Sequence, residues 1–117
     1  MIAVIVALVA GSLGAVLRFL IARALASRAV CAVLVVNVVG SAIGGAVLAL
    51  AERGSVSADI RLILLSGFCG GFTTFSTFGV ETLQLVLGGK AKVALVSVLA
   101  NLVLGIGAAS AIYLLFR

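Results

Sequence analysis

Hydrophobic residues fill this chain in four long runs, Met1 to Leu17, Val30 to Ala51, Leu62 to Val80 and Val93 to Phe116, and nearly every charge falls between them. A helix that crosses a bilayer needs about 20 mostly apolar residues. The pattern therefore predicts four transmembrane helices, over about 2–26, 30–51, 61–84 and 92–116, in a single domain covering 1–117. The first run reaches Arg18 after only 17 residues, but Arg18 and Arg23 can snorkel their charged heads to the interface and let the helix continue to about Ala26. A cleavable leader would want a basic start, a shorter apolar core and a cleavage site, and none of these is evident. The connections are Ala26 to Ala29, Glu52 to Asp59 and the stretch around Gly88, Gly89 and Lys90. No extramembrane domain fits into them.

The third run interrupts its own pattern. Leu62 to Val80 holds 19 residues without a charge, yet its middle reads GFCGGFTTFSTF, from Gly67 to Phe78. Gly67, Gly70 and Gly71 free the backbone to leave helical geometry. A broken helix exposes carbonyl and N–H groups that can bind ions at the membrane midplane, a cation on the carbonyls being one natural outcome. Irregular backbone at that depth is tolerated only where protein or water covers it. Thr73, Thr74, Ser76 and Thr77 add hydroxyls able to donate to an anion, and Phe75 and Phe78, three apart, can share a face. An aromatic ring has a positive edge, so two rings can surround a small anion without a formal charge, and such weak ligation permits exit as well as entry. The competing reading is a helix-packing patch with aromatic filler. A phosphate-binding glycine loop is excluded, because no lysine followed by serine or threonine comes after the glycines.

Composition agrees with the membrane reading: 65% of residues are hydrophobic and 9% charged, against about a quarter charged in soluble domains. With no histidine and only Glu52, Asp59 and Glu81 as carboxylates, the chain has little with which to do acid–base chemistry or hold a transition metal. An enzyme is not expected. Cys31 and Cys69 lack metal-ligand spacing and read as small packing residues. The formal charge of +5 calls for no nucleic acid, since basic residues flanking helices meet anionic lipid headgroups. Arg18, Arg23, Arg28, Lys90 and Lys92 fall on one side of the predicted topology, and Arg53, Arg61 and Arg117 on the other. Positive charge is kept on the cytoplasmic side, and so weak a bias is compatible with a protein that inserts both ways and pairs antiparallel with a second copy.

Polar residues in the other helices extend the candidate site. Asn37, Gly40, Ser41, Gly44 and Gly45 are spaced three and four apart on the second helix, a small and polar face suited to close packing in lipid. The Asn37 amide must be satisfied in hydrocarbon, either by bridging helices or by lining a route on which its N–H groups suit an anion. Gly11, Gly14 and Ala15 lead to Arg18, which either snorkels or makes a positive vestibule. Ser97, Asn101 and Gly105 form a stripe on the fourth helix, with Ser110 off it; the stripe reads equally as a polar track or as helix-to-helix hydrogen bonding.

GFCGGFTTFSTF at Gly67 to Phe78, NVVGS at Asn37 to Ser41 and GAVLRF at Gly14 to Phe19 resemble the third-, second- and first-helix motifs of the small fluoride channels called Fluc or CrcB, and four short helices in the right order extend the resemblance over the whole chain. The resemblance implies an all-α integral membrane protein with a broken third helix, forming an antiparallel dual-topology homodimer with two fluoride pores and one structural sodium ion. By the same carry-over Phe75 and Phe78 would line each pore, with Asn37 on the fluoride route and Thr74, Ser76 and Thr77 in its polar track. Arg18 would sit near a pore mouth, and Gly70 and Thr73 would give backbone carbonyls to sodium. Ser97 and Asn101 would complete the track, although the resemblance is least specific in the fourth helix, where many members of that family carry a tyrosine at the position aligned with Ser97. The implied role is passive fluoride export across the plasma membrane, the bacterial inner membrane, as a multi-pass protein. A dual-topology small multidrug exporter is the alternative, but it needs a carboxylate buried within a helix, and only Glu81, at the end of the third run, is available. A non-conducting membrane scaffold is the other.

Overall fold

The structure, a computed structural model, covers Met1–Arg117 and is helical throughout. Helix α1 (Ile2–Ala24) leads through a 3₁₀ turn at Ala26–Arg28 into α2 (Ala29–Glu52). The third span comprises α3 (Ala58–Arg61), a π-helix (Leu62–Cys69), α4 (Gly70–Phe72) and, after three non-helical residues, α5 (Ser76–Leu87). Helix α6 (Ala91–Phe116) closes the bundle. Four spans, Ile2–Ala24, Ala26–Glu52, Ala58–Leu87 and Ala91–Phe116, are long and apolar enough to cross a membrane. The turns between them rely on local chemistry. Gly54 and Gly89 take the left-handed conformation, at φ +75° and +77°, which costs a glycine little, and the Ser57 side chain caps α3 by accepting from Ile60 N at 3.2 Å.

The apolar side chains point outward as much as inward. Only 14 of the 117 residues are buried, and leucines, valines and isoleucines stand exposed along α1 and α6. In water such a surface would aggregate; in lipid it is already in its solvent, so helix association must come from close packing and hydrogen bonds.

Two seams supply that packing. Along the first, α1 lies against the π-helix and α4 at backbone contact: a Cβ on Gly14 would collide with Phe68 O and Phe72 N, one on Gly71 with Gly11 O, and one on Gly67 with Ala7 O. Along the second, α2 and α6 run parallel. Asn37 meets Asn101, Ser41 approaches Gly105, Gly45 abuts Ala109, and Arg53 Nη1 donates to Phe116 O at 2.9 Å, numbers rising together on both helices. A core of Ala32, Val33, Val36, Val47, Ala49 and Phe72 fills the space between.

The small-residue face of α2 divides in two. Gly40 and Gly44 face the third span, meeting Thr73 and Leu65, whereas Gly45, with Ser41, faces α6. Positions four apart on a helix nearly eclipse, but a neighbour one residue on is rotated by about 100°. What reads as one polar face therefore serves two partners.

Candidate functional site

Helical geometry stops at Phe72. Thr73 is extended, with φ −84° and ψ 162°, and the helix resumes at Ser76. Stopping a helix frees the carbonyls of its last turn and the N–H groups of the next, and side chains from α1, α2 and the segment itself take up some of them. Arg18 Nε donates to Gly71 O at 3.1 Å, from α1. Asn37, from α2, grips Thr74 on both sides: Thr74 N donates to Asn37 Oδ1 at 2.9 Å, and Asn37 Nδ2 donates to Thr74 O at 3.1 Å. Within the segment, Thr77 N donates to Thr74 Oγ1 at 3.1 Å, and Thr73 Oγ1 donates to Cys69 O at 2.8 Å. The carbonyls of Gly70 and Thr73 accept no hydrogen bond from the chain.

The polar groups continue into the α2–α6 seam. Asn37 Nδ2 also donates to Asn101 Oδ1 at 3.1 Å, and Asn101 Nδ2 donates to Ser97 O at 2.9 Å. A primary amide has two N–H donors, so both N–H groups of Asn37 are committed within the chain. The amide with an N–H to spare is that of Asn101. Asn37 bridges α2 to the third span and to α6 through these bonds.

Beside this network a cavity of about 320 Å³ opens between α1, α2 and α5, with Ala15, Arg18, Val36, Thr74, Thr77 and Glu81 on its wall. Arg18 lies six residues inside the end of α1, about 9 Å at 1.5 Å per residue, and its side chain is tied to Gly71 rather than spread along the interface. It brings positive charge to the cavity wall, where a low-dielectric surround strengthens its field.

The matching family model, described as "CrcB-like protein, Camphor Resistance (CrcB)", spans residues 5–113, nearly the whole chain. The chain belongs to the CrcB family. Similar proteins include one from Parabacteroides distasonis, 37% identical over 110 residues that make up 91% of this chain and 86% of the relative. Another, from Idiomarina loihiensis, is 39% identical over 92% of this chain and 87% of its own length, and a third, from Thermus thermophilus, is 39% identical over 82% and 80%. All three bear the name "Fluoride-specific ion channel FluC".

In this CrcB chain the residues singled out from sequence fall into three places. Asn37, Thr74, Asn101 and Ser97 join one hydrogen-bonded network, and Arg18, Thr74 and Thr77 line the cavity beside it. Phe75 and Phe78 pair with ring centroids 6.1 Å apart and planes tilted by 54°, but Phe75 is 84% exposed and turned away from the rest of the chain. Gly70 and Ser76 are exposed on the bundle surface, and Thr73 is half-buried against Gly40. Sequence reasoning passed over Glu81 as a residue of the span's end, whereas it lines the same cavity as Arg18. Glu81 lies four residues beyond Thr77, which puts the two on one face of α5, but nothing local in the sequence turns that face toward α1.

Proposed function

We propose that this chain is a fluoride-selective channel that lets fluoride leave the cell passively across the plasma membrane, working as an antiparallel dual-topology homodimer with two pores. Membership of the CrcB family and the printed name of the relatives support fluoride as the cargo. The single observation that carries the assembly is the uncovered break of the third span. Phe75 stands 84% exposed, beside the exposed Gly70 and Ser76, in a segment where lipid cannot satisfy open backbone. A second copy brought against this face covers it, and the near balance of basic residues, five against three, lets that copy insert the other way up.

The donor set fits a structural sodium ion. Gly70 and Thr73 present carbonyls without hydrogen-bond partners, and unwound backbone carbonyls in transporters coordinate cations of this kind. Bound there, sodium would supply positive charge that compensates those carbonyls at the centre of the interface. The chain's own residues handle the anion. Arg18 raises its local concentration in the cavity, the Thr74 and Thr77 hydroxyls and the spare Asn101 N–H replace its water, and the ring edges of Phe75 and Phe78 carry it without a formal charge. No coupled energy source is needed, because an inside-negative potential drives an anion outward with about 2.3 kcal/mol per charge per 100 mV.

The test is fluoride efflux from liposomes containing the purified protein, read with a fluoride electrode after a potassium ionophore is added, with chloride-loaded liposomes as control. Rapid fluoride release without chloride release is the expected result. No release from well-folded protein overturns the reading.

A further inference from the structure

The network of Thr74, Asn37, Asn101 and Ser97 accounts for only one half of the α2–α6 seam. Asn37 is eight residues from the start of α2 and fifteen from its end at Glu52, about 12 Å and 22 Å along the axis. On the longer half lies a second opening, about 610 Å³, whose wall includes Ser41, Gly44, Gly45, Glu52, Ser110 and Tyr113. It adjoins the network directly, since Ser41 Oγ lies 3.5 Å from where a Cβ on Gly105 would stand, one turn beyond Asn101. Polar and small residues follow each other up both helices, as Asn37, Ser41, Gly45 and Glu52 on α2 and as Asn101, Gly105, Ala109 and Tyr113 on α6. Gly45 against Ala109 holds the backbones close, so the opening is a groove along a rigid seam.

At the outer end of the groove the Tyr113 hydroxyl donates to Glu52 Oε2, and next to it Arg53 Nη1 holds Phe116 O. The arginines of this rim, Arg53 and Arg117, attract anions; Glu52 is the one carboxylate on the groove wall and repels them. Tyr113 fixes where that negative charge stands.

We infer that this groove is the second half of the anion route and that Glu52, positioned by Tyr113, limits anion flux at its mouth. The inference rests on the channel reading above. Glu52→Gln keeps the acceptor for Tyr113 and nearly the same volume while removing the charge. Its expected effect is a rise in fluoride efflux of about two- to threefold at low ionic strength, as for one unit charge near a water-filled mouth. At 1 M salt, where the Debye length is about 3 Å, the rise should shrink to near nothing. Asp59→Asn removes a carboxylate from the same end of the molecule but off the groove, and should leave flux unchanged. Ser41→Ala, which removes the hydroxyl with little change of size inside the groove, should lower flux about tenfold with the protein still monodisperse on size exclusion.

Wild-type protein that releases no fluoride overturns the channel reading together with this inference. Wild-type release with Glu52→Gln unaltered at low salt, or with Asp59→Asn raising flux as much, overturns the inference alone. A rise confined to Glu52→Gln and abolished by salt supports it, since a merely structural role for the Glu52–Tyr113 pair would not depend on salt.

Discussion

The two helix seams of this protein solve the same problem in opposite ways. Between α1 and the third span, glycines let backbone touch backbone, and the only polar crossing is Arg18 to Gly71 O. Between α2 and α6, backbone meets backbone at Gly45 and Ala109, but amides and hydroxyls make the remaining crossings, and an opening lies along the half from Ser41 to Glu52. Close backbone approach gives dispersion and rigidity but leaves no room for an ion. The seam that carries amides also has a donor left over, since Asn101 keeps one N–H without a partner. One seam is thus closed by backbone contact, and the other, which the proposed function makes a route, carries the polar groups, with the interrupted third span touching both.

A substitution that fills the first seam should break the comparison most severely. Gly14→Val places branched carbon against Phe68 O and Phe72 N, which are backbone and cannot turn aside. The expected destabilisation is about 3 kcal/mol or more, seen as loss of the monodisperse peak on size exclusion. Cutting the link between seams comes next. Asn37→Leu leaves Thr74 N and O without partners, at about 1–3 kcal/mol for each unsatisfied group. Thermal melting in detergent should show the loss, with fluoride efflux abolished.

Phe75→Ile and Phe78→Ile sharpen the comparison from the functional side. Phe75 is 84% exposed and Phe78 pairs with it, so each variant should cut fluoride flux at least tenfold while melting within a few degrees of the wild type. Unchanged flux in both would remove the rings from the mechanism. The smallest effects are the most diagnostic. The Asn37–Asn101 coupling, from a cycle of alanine variants, should be about 0.6 kcal/mol, the usual strength of such a bond in a membrane. Gly107 has nothing within 4 Å of its added Cβ, so Gly107→Ala should leave stability unchanged or raise it by up to about 1 kcal/mol through helix propensity.

Much of the fold was legible because lipid imposes a one-dimensional rule. Runs such as Val30 to Ala51 and Val93 to Phe116 have the length and apolarity of a span, and the structure has α2 at Ala29–Glu52 and α6 at Ala91–Phe116. The GFCGGFTTFSTF segment was equally conspicuous, because hydroxyls and glycines in hydrocarbon demand a partner. The division of labour among neighbours on one helix was not visible: Gly44 and Gly45 are adjacent in sequence, yet one faces Leu65 and the other Ala109. Nor was the place of Glu81 on the cavity that Arg18 also lines, which depends on how α5 is set after the break.

Sequence by itself determined the membrane class, the four spans, the family motifs and the segment in which the helical pattern is interrupted, since each follows from local composition and spacing. Only the tertiary structure decided which donors are free. Asn37 and Asn101 are chemically the same amide, and nothing local distinguishes them. The parallel packing of α2 on α6 and the capture of Thr74 by Asn37 commit one amide fully and leave the other an N–H to offer. Hydrogen-bond supply at a site is a property of its whole surroundings, which are assembled from residues 37 and 64 positions apart.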